Sequence, residues 1–103
     1  GLVAGLARAF SRLVTAAPGT AEHRVATAMA AHPAWVGGST GRTATDLMAG
    51  IPGLICKDGA EGVCAAALPG GAAMAVKVLD GAMRPVPVVV TAALRALGGA
   101  VPE

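Results

Sequence analysis

The sequence predicts an α+β domain in which helices pack on an antiparallel sheet. Three observations predict it. Apolar residues in the first half recur at helical spacing, the pattern shifts to short strand-like runs after Pro52-Gly53, and proline and glycine punctuate the changes. The 103 residues divide into helices over 1–51, a β-meander over 54–80 and a terminal helix over 85–98, all belonging to one larger domain.

Leu2, Leu6, Phe10, Leu13 and Val14 line one side of the first segment, with Arg8, Ser11, Arg12 and Thr15 opposite. That spacing makes an amphipathic helix of about four turns, closed by Pro18-Gly19. A second helix starts near Thr20, whose hydroxyl can cap it, and Glu22 suits the positive end of the helix dipole. Val25 and Met29 are expected on its inner face. It ends at His32, because Pro33 disfavours α geometry in the residue before it. Residues 35–41, glycine-rich and carrying Trp35, read as an irregular loop leading to Arg42. Thr43 or Thr45 is expected to cap a short helix holding Leu47, Met48 and Ile51, stopped by Pro52-Gly53. Residues 54–56, 63–68 and 72–79 read as strands, with Pro69-Gly70-Gly71 as a hairpin connection and Asp80-Gly81 ending the third. Residues 85–97 read as a helix despite the β-branched run Val88-Val89-Val90, and Gly98-Gly99 halts it. Such a sheet can bury one face and leave the other for another part of the protein to cover.

Hydrophobic residues make up 54% of the chain but aromatics only 2%. Much of the apolar fraction is alanine, which buries little area per residue, so the core should be thin. This composition, with a start at Gly1 inside a helical pattern, suggests a fragment or an obligately paired subunit. A membrane-spanning helix needs about 20 mostly apolar residues. Residues 62–76, the longest run without a charged residue or histidine, are broken by Pro69-Gly70-Gly71, and no signal-peptide pattern opens the chain. A soluble, cytoplasmic protein without a membrane partner is expected. The net charge is +2, the basic residues are scattered, and Phe10 and Trp35 are the only aromatics. There is neither a basic stripe nor a stacking platform for nucleic acid. Cys56 and Cys64 are too few for a closed zinc site, and a disulfide between them is conceivable without being implied; core residues are the expectation.

In a chain only 14% charged, Lys57-Asp58-Gly59-Ala60-Glu61-Gly62 places one ammonium, two carboxylates and two glycines in six residues. Spacing alone leaves two readings open. One is a polar hairpin turn, in which glycine supplies positive φ. The other is a functional site.

Three longer segments bear on the choice: Met29-Ala30-Ala31-His32-Pro33, Gly41-Arg42-Thr43-Ala44-Thr45-Asp46-Leu47-Met48, and Pro52-Gly53-Leu54-Ile55-Cys56 running on through Lys57-Asp58-Gly59-Ala60-Glu61-Gly62-Val63. With Ala67-Leu68-Pro69 and Lys77-Val78-Leu79-Asp80-Gly81, the series resembles the C-terminal part of the asparaginase II family, the Rhizobium-type L-asparaginases, over residues 2–97. The resemblance implies a fold like the serine β-lactamases and glutaminases, and hydrolysis of L-asparagine to L-aspartate and ammonia. It also implies a lysine-x-glycine element on a strand beside the active site, which Lys57-Asp58-Gly59 matches. By the resemblance, Lys57 is the catalytic candidate, near the serine hydroxyls, either moving protons or fixing the substrate carboxylate. Arg42, Gly59 and Glu61 are substrate-binding candidates. Gly59 and Gly62 would let substrate approach the backbone. Asp58 stands where many β-lactamase relatives carry a hydroxyl, so no hydroxyl donor is transferred to it.

The chain holds no Ser-x-x-Lys: Val14 stands three residues after Ser11 and Arg42 three after Ser39. The family's Cys-Ser-Gly-Lys run, associated with zinc, is also absent. Nucleophile and metal ligands are therefore expected upstream, with no cofactor held by this chain and no turnover by it alone. A homodimer is the assembly the family implies. Structural readings stand beside these. Arg42 can pair with Asp46 instead of clamping a carboxylate, His32 can cap carbonyls, Trp35 can anchor packing, and Lys77 and Asp80 can end a strand in water. Two further function classes stay open: an interaction module pairing through an uncovered sheet face, and a related amide or β-lactam hydrolase.

Overall fold

The apolar stripe at the start of the chain forms α1, Leu2–Thr15, as its spacing predicts. A computed structural model describes residues 1–33, 43–59, 62–82, 84–99 and 101. Helix α2, Ala21–Ala31, is capped at Thr20, whose Oγ1 accepts the His23 N–H at 3.1 Å and donates to the Ala17 carbonyl at 2.8 Å. His32 closes it, its backbone N–H on the Ala28 carbonyl at 3.0 Å. On the inner face of α2, Met29 packs inward as expected, while Val25 is 50% exposed and Ala26 and Ala30 pack inward in its stead.

Helix α3 is Thr43–Gly50, with the Ile51 N–H still bonded to the Leu47 carbonyl at 2.9 Å. Thr43 is the first residue of the helix, and Thr45 lies inside it, buried. Three strands follow: β1 (Ile55–Gly59), β2 (Val63–Ala67) and β3 (Ala73–Lys77), antiparallel in the order β1-β2-β3. β1 runs three residues beyond the predicted strand, because Lys57, Asp58 and Gly59 pair with Ala65, Cys64 and Val63. At the far end of the β2–β3 hairpin, the Leu68 N–H bonds to the Ala72 carbonyl at 2.8 Å and the Gly71 N–H to the Leu68 carbonyl at 2.9 Å. This is the connection that Pro69-Gly70-Gly71 predicts. Helix α4, Val86–Ala96, begins after Pro85 and contains the whole valine run. Burial of Val86, Val90 and Leu94 on one face outweighs the β-branched preference for strand.

The strand register sorts side chains onto two faces, since successive residues point opposite ways. Ile55, Lys57 and Gly59 share a face with Ala67, Ala65, Val63, Ala73 and Ala75; Cys56 and Asp58 share the other with Cys64, Ala66, Met74 and Val76. Helices α1 and α2 lie on the first face, α3 and α4 on the second. Helices of the chain itself therefore cover both faces in the middle of the sheet. The second face carries the main core, with Leu47, Met48, Ile51, Leu54, Val90 and Leu94 around Cys56 and Cys64. The first is built on alanine, with Ala26, Ile55 and Ala67 buried and Phe10, Leu13 and Val14 half-buried over them. Ser11 Oγ donates to the Gly71 carbonyl at 2.6 Å, tying α1 to the β2–β3 connection across 60 positions of sequence. A side chain at Gly71, whose φ is +103°, would start 2.8 Å from Thr15 Cγ2, so α1 sits directly on this turn. Among the described residues, no helix is long and apolar enough to cross a membrane.

Candidate active site

Four of the six residues in the charged segment are described: Lys57, Asp58 and Gly59 in a strand and Gly62 in a turn. Lys57, Asp58 and Gly59 are the last three residues of β1, and β1 is an edge strand. Lys57 leaves the sheet on the α1/α2 face and Asp58 on the α3/α4 face. Even so, Lys57 Nζ donates to the Asp58 carbonyl at 2.9 Å and lies 3.5 Å from Asp58 Oδ1. Such a contact between opposite faces runs around the outer edge of β1. The Lys57 side chain is 49% exposed. At that exposure the ion pair itself adds little stability; its effect is to hold the ammonium at the edge strand.

The two glycines differ sharply. At Gly59 an added Cβ would meet, among the described residues, only Val63, at 3.6 Å, which is ordinary contact. Gly59 is exposed and its backbone is unstrained, so internal packing does not dictate a glycine there. Gly62 is buried at φ +78°, and a Cβ there would start 2.8 Å from Val78 Cβ and 2.9 Å from the Ala82 carbonyl oxygen. Its smallness serves the protein's own packing. The expectation that Gly62 admits substrate is corrected accordingly. Nothing in the sequence signalled this contact, which joins residues far apart in the chain.

Cys56 and Cys64 lie behind β1, on the face opposite Lys57. Both are free and buried in the main core, as expected, with their sulfurs 3.8 Å apart. The two thiols are hydrogen-bonded to each other, and this contact shifts them in opposite directions. The hydrogen bond to Cys64 and burial push the Cys56 thiol up; the hydrogen bond from Cys56 pulls Cys64 down against the opposing effect of burial. The two thiols are enclosed by apolar side chains, and among the described residues no group of three histidines, cysteines or carboxylates could hold a metal. They do not fit a zinc centre.

His32 is exposed at the end of α2. Arg42, Glu61 and Trp35, with the proposed Arg42–Asp46 pairing, lie outside the described residues. An apolar groove of about 530 Å³ opens between α1, α2 and the Pro52-Gly53 and Pro69 loops. It sits at the end of the β1–β2 hairpin away from Lys57, and His23 is the ionisable residue among its lining. Its described lining holds no charged pair.

The family profile described as L-asparaginase II matches residues 2–103, and the chain belongs to that family. No curated protein matches the chain.

Proposed function

From a chain that belongs to the L-asparaginase II family, we propose that the complete enzyme hydrolyses L-asparagine to L-aspartate and ammonia, with the β1 edge as one wall of its active site. The observation that supports this most is the placement of Lys57 on the edge strand β1, its ammonium on the Asp58 carbonyl, beside Gly59, where among the described residues an added side chain would meet only Val63 at ordinary contact distance. A fixed cation beside exposed strand backbone suits a small substrate that carries a carboxylate near the amide to be cleaved. In this reading Lys57 binds that carboxylate or passes a proton to or from the attacking hydroxyl. Gly59 lets the substrate lie against the strand. Arg42 clamps a carboxylate and Glu61 accepts from the substrate ammonium. The nucleophile comes from a segment outside these 103 residues, in a fold of the serine β-lactamase and glutaminase kind. Zinc, where the family uses it, is held by such segments as well, since the cysteine pair here does not suit it. The assembly is a cytoplasmic homodimer.

Replacing Lys57 with methionine in the complete enzyme keeps much of the side-chain length and removes the charge. Loss of a group that positions substrate or moves its proton should lower kcat/KM for L-asparagine by about 10²-fold or more. A kcat/KM within threefold of wild type, by a steady-state ammonia-release assay, would remove Lys57 from the machinery (about 0.65 kcal/mol or less).

A further inference from the structure

We propose that Asp80, outside the hairpin that carries Lys57, is a positioning residue for it. This rests on the asparaginase reading of that hairpin. The described hydrogen bonds of Lys57 both go to its own neighbour, Asp58. Where the ammonium stands relative to the rest of the protein is therefore set by the backbone of the hairpin. That backbone is held from the far side of β2. The β2–β3 pairing continues one step past Val63 and Lys77, with the Val78 N–H on the Gly62 carbonyl at 2.9 Å. The chain then folds back at once: the Gly81 N–H meets the Val78 carbonyl at 2.9 Å, and Asp80 Oδ1 accepts the Ala82 N–H at 3.0 Å. A carboxylate bonded to a backbone N–H two residues on is a turn-forming device.

The strand pairing sets Val78 Cβ 2.8 Å from where a Gly62 side chain would begin, and this turn is what brings the Ala82 carbonyl to within 2.9 Å of the same point. Gly62 is thus gripped between a hydrogen bond and two steric stops, three residues from the end of the Lys57-Asp58-Gly59 segment. Leu79 and Asp80 themselves are exposed, so no core packing explains the turn at its tip. Without the Asp80 bond, Ala82 is free to lift, and Gly62 loses one of its stops. The motif Lys77-Val78-Leu79-Asp80-Gly81, which reads from sequence as the wet end of a strand, becomes a buttress of the site.

The test compares Asp80→Ala with Asp80→Asn in the complete enzyme. Asparagine keeps the acceptor oxygen and drops the charge. Asp80→Ala should lower kcat/KM for L-asparagine by about tenfold, and Asp80→Asn should restore it to near wild type. In a Lys57→Met background, Asp80→Ala should add nothing, since both changes act through one group. Backbone amide exchange should quicken in the 57–63 hairpin in Asp80→Ala and not in Asp80→Asn. Unchanged exchange in that hairpin overturns the proposal, as does full additivity with Lys57→Met or failure of asparagine to rescue. If wild-type enzyme does not turn over L-asparagine, the asparaginase reading fails, while the exchange comparison still decides whether Asp80 holds the hairpin.

Discussion

Gly59 and Gly62 stand three residues apart in one charged segment, and sequence spacing assigned them the same role. Their surroundings separate them. Gly62→Ala must place a methyl group against Val78 Cβ and the Ala82 carbonyl while adopting φ +78°. Left-handed backbone costs an alanine about 1–2 kcal/mol and overpacking about 1–3 more, so a loss of about 2–4 kcal/mol is expected in urea unfolding. Gly59→Ala meets neither obstacle and should leave stability within about 0.5 kcal/mol of wild type. Activity should separate them in the other direction. Gly59→Ala in the complete enzyme should raise KM for L-asparagine, because the new methyl enters space that, among the described residues, only Val63 borders and that the proposed substrate would use. Unchanged KM would mean that substrate does not lie against this strand. The sequence could show that glycine mattered at both positions. It could not show why, because the atoms that crowd Gly62 belong to residues 78 and 82.

At the scale of elements, strand and helix boundaries were legible wherever proline or glycine punctuates the chain. Two pattern readings were each right in part and missed the rest for want of tertiary information, although the resemblance put Lys57-Asp58-Gly59 on a strand and Met29 packs inward as expected. Lys57 and Asp58 do not look like strand residues, yet β2 supplies Ala65 and Cys64 as partners and β1 extends through them. The inner face of α2 was assigned to Val25 because alanine gives a weak signal, although Ala26 is the residue that meets Ile55 and Ala67. The β1–β2 pair also carries a testable electrostatic consequence. Unfolded, both thiols ionise in the ordinary range of about 8.5–9. Folded, the sulfur pair gives up one proton readily from Cys64 and retains the other on Cys56, whose thiol is held above its ordinary value. The stability that comes from keeping Cys56 protonated is fully present below the unfolded thiol value and is lost as pH rises above it. The slope approaches about 1.4 kcal/mol per pH unit, one proton's worth. Unfolding free energies measured between pH 9 and 10.5 should fall more steeply for wild type than for Cys56→Ala/Cys64→Ala. Parallel slopes would show that the thiols ionise alike in the folded and unfolded chains.

Across the whole molecule, the two faces of the sheet are covered by very different materials. The α3/α4 side buries Leu47, Met48, Ile51, Leu54, Val90 and Leu94, and each such side chain contributes about 1.5–3 kcal/mol relative to exposure. The α1/α2 side buries Ala26, Ile55 and Ala67 and leaves Leu2 90% exposed at the start of α1, with no residue of α1 fully buried. Composition had already implied a thin core. It could not say that the thinness would fall on one side, since alanine positions on β2 and β3 face both ways until the register is known. Opening free energy follows local apolar burial, so the protein should not open as one unit. Amides of α1 and α2 should exchange through a low-energy opening, while those of β2 and of α4 near Val90 and Leu94 wait for global unfolding. Adding urea should then steepen exchange in β2 and α4 and leave α1 comparatively insensitive, because a small opening exposes little surface. The Ser11–Gly71 bond is the one described side-chain tie between α1 and the β2–β3 connection, and Ser11→Ala should widen the gap between the two classes. Equal protection and equal urea dependence in α1 and α4 would mean that the alanine side is packed as firmly as the leucine side. In that case Lys57, which projects on the alanine side, would rest on a rigid wall. If the gradient is found, that wall is the softer half of the sheet, and tightening it falls to contacts made around the β1 edge.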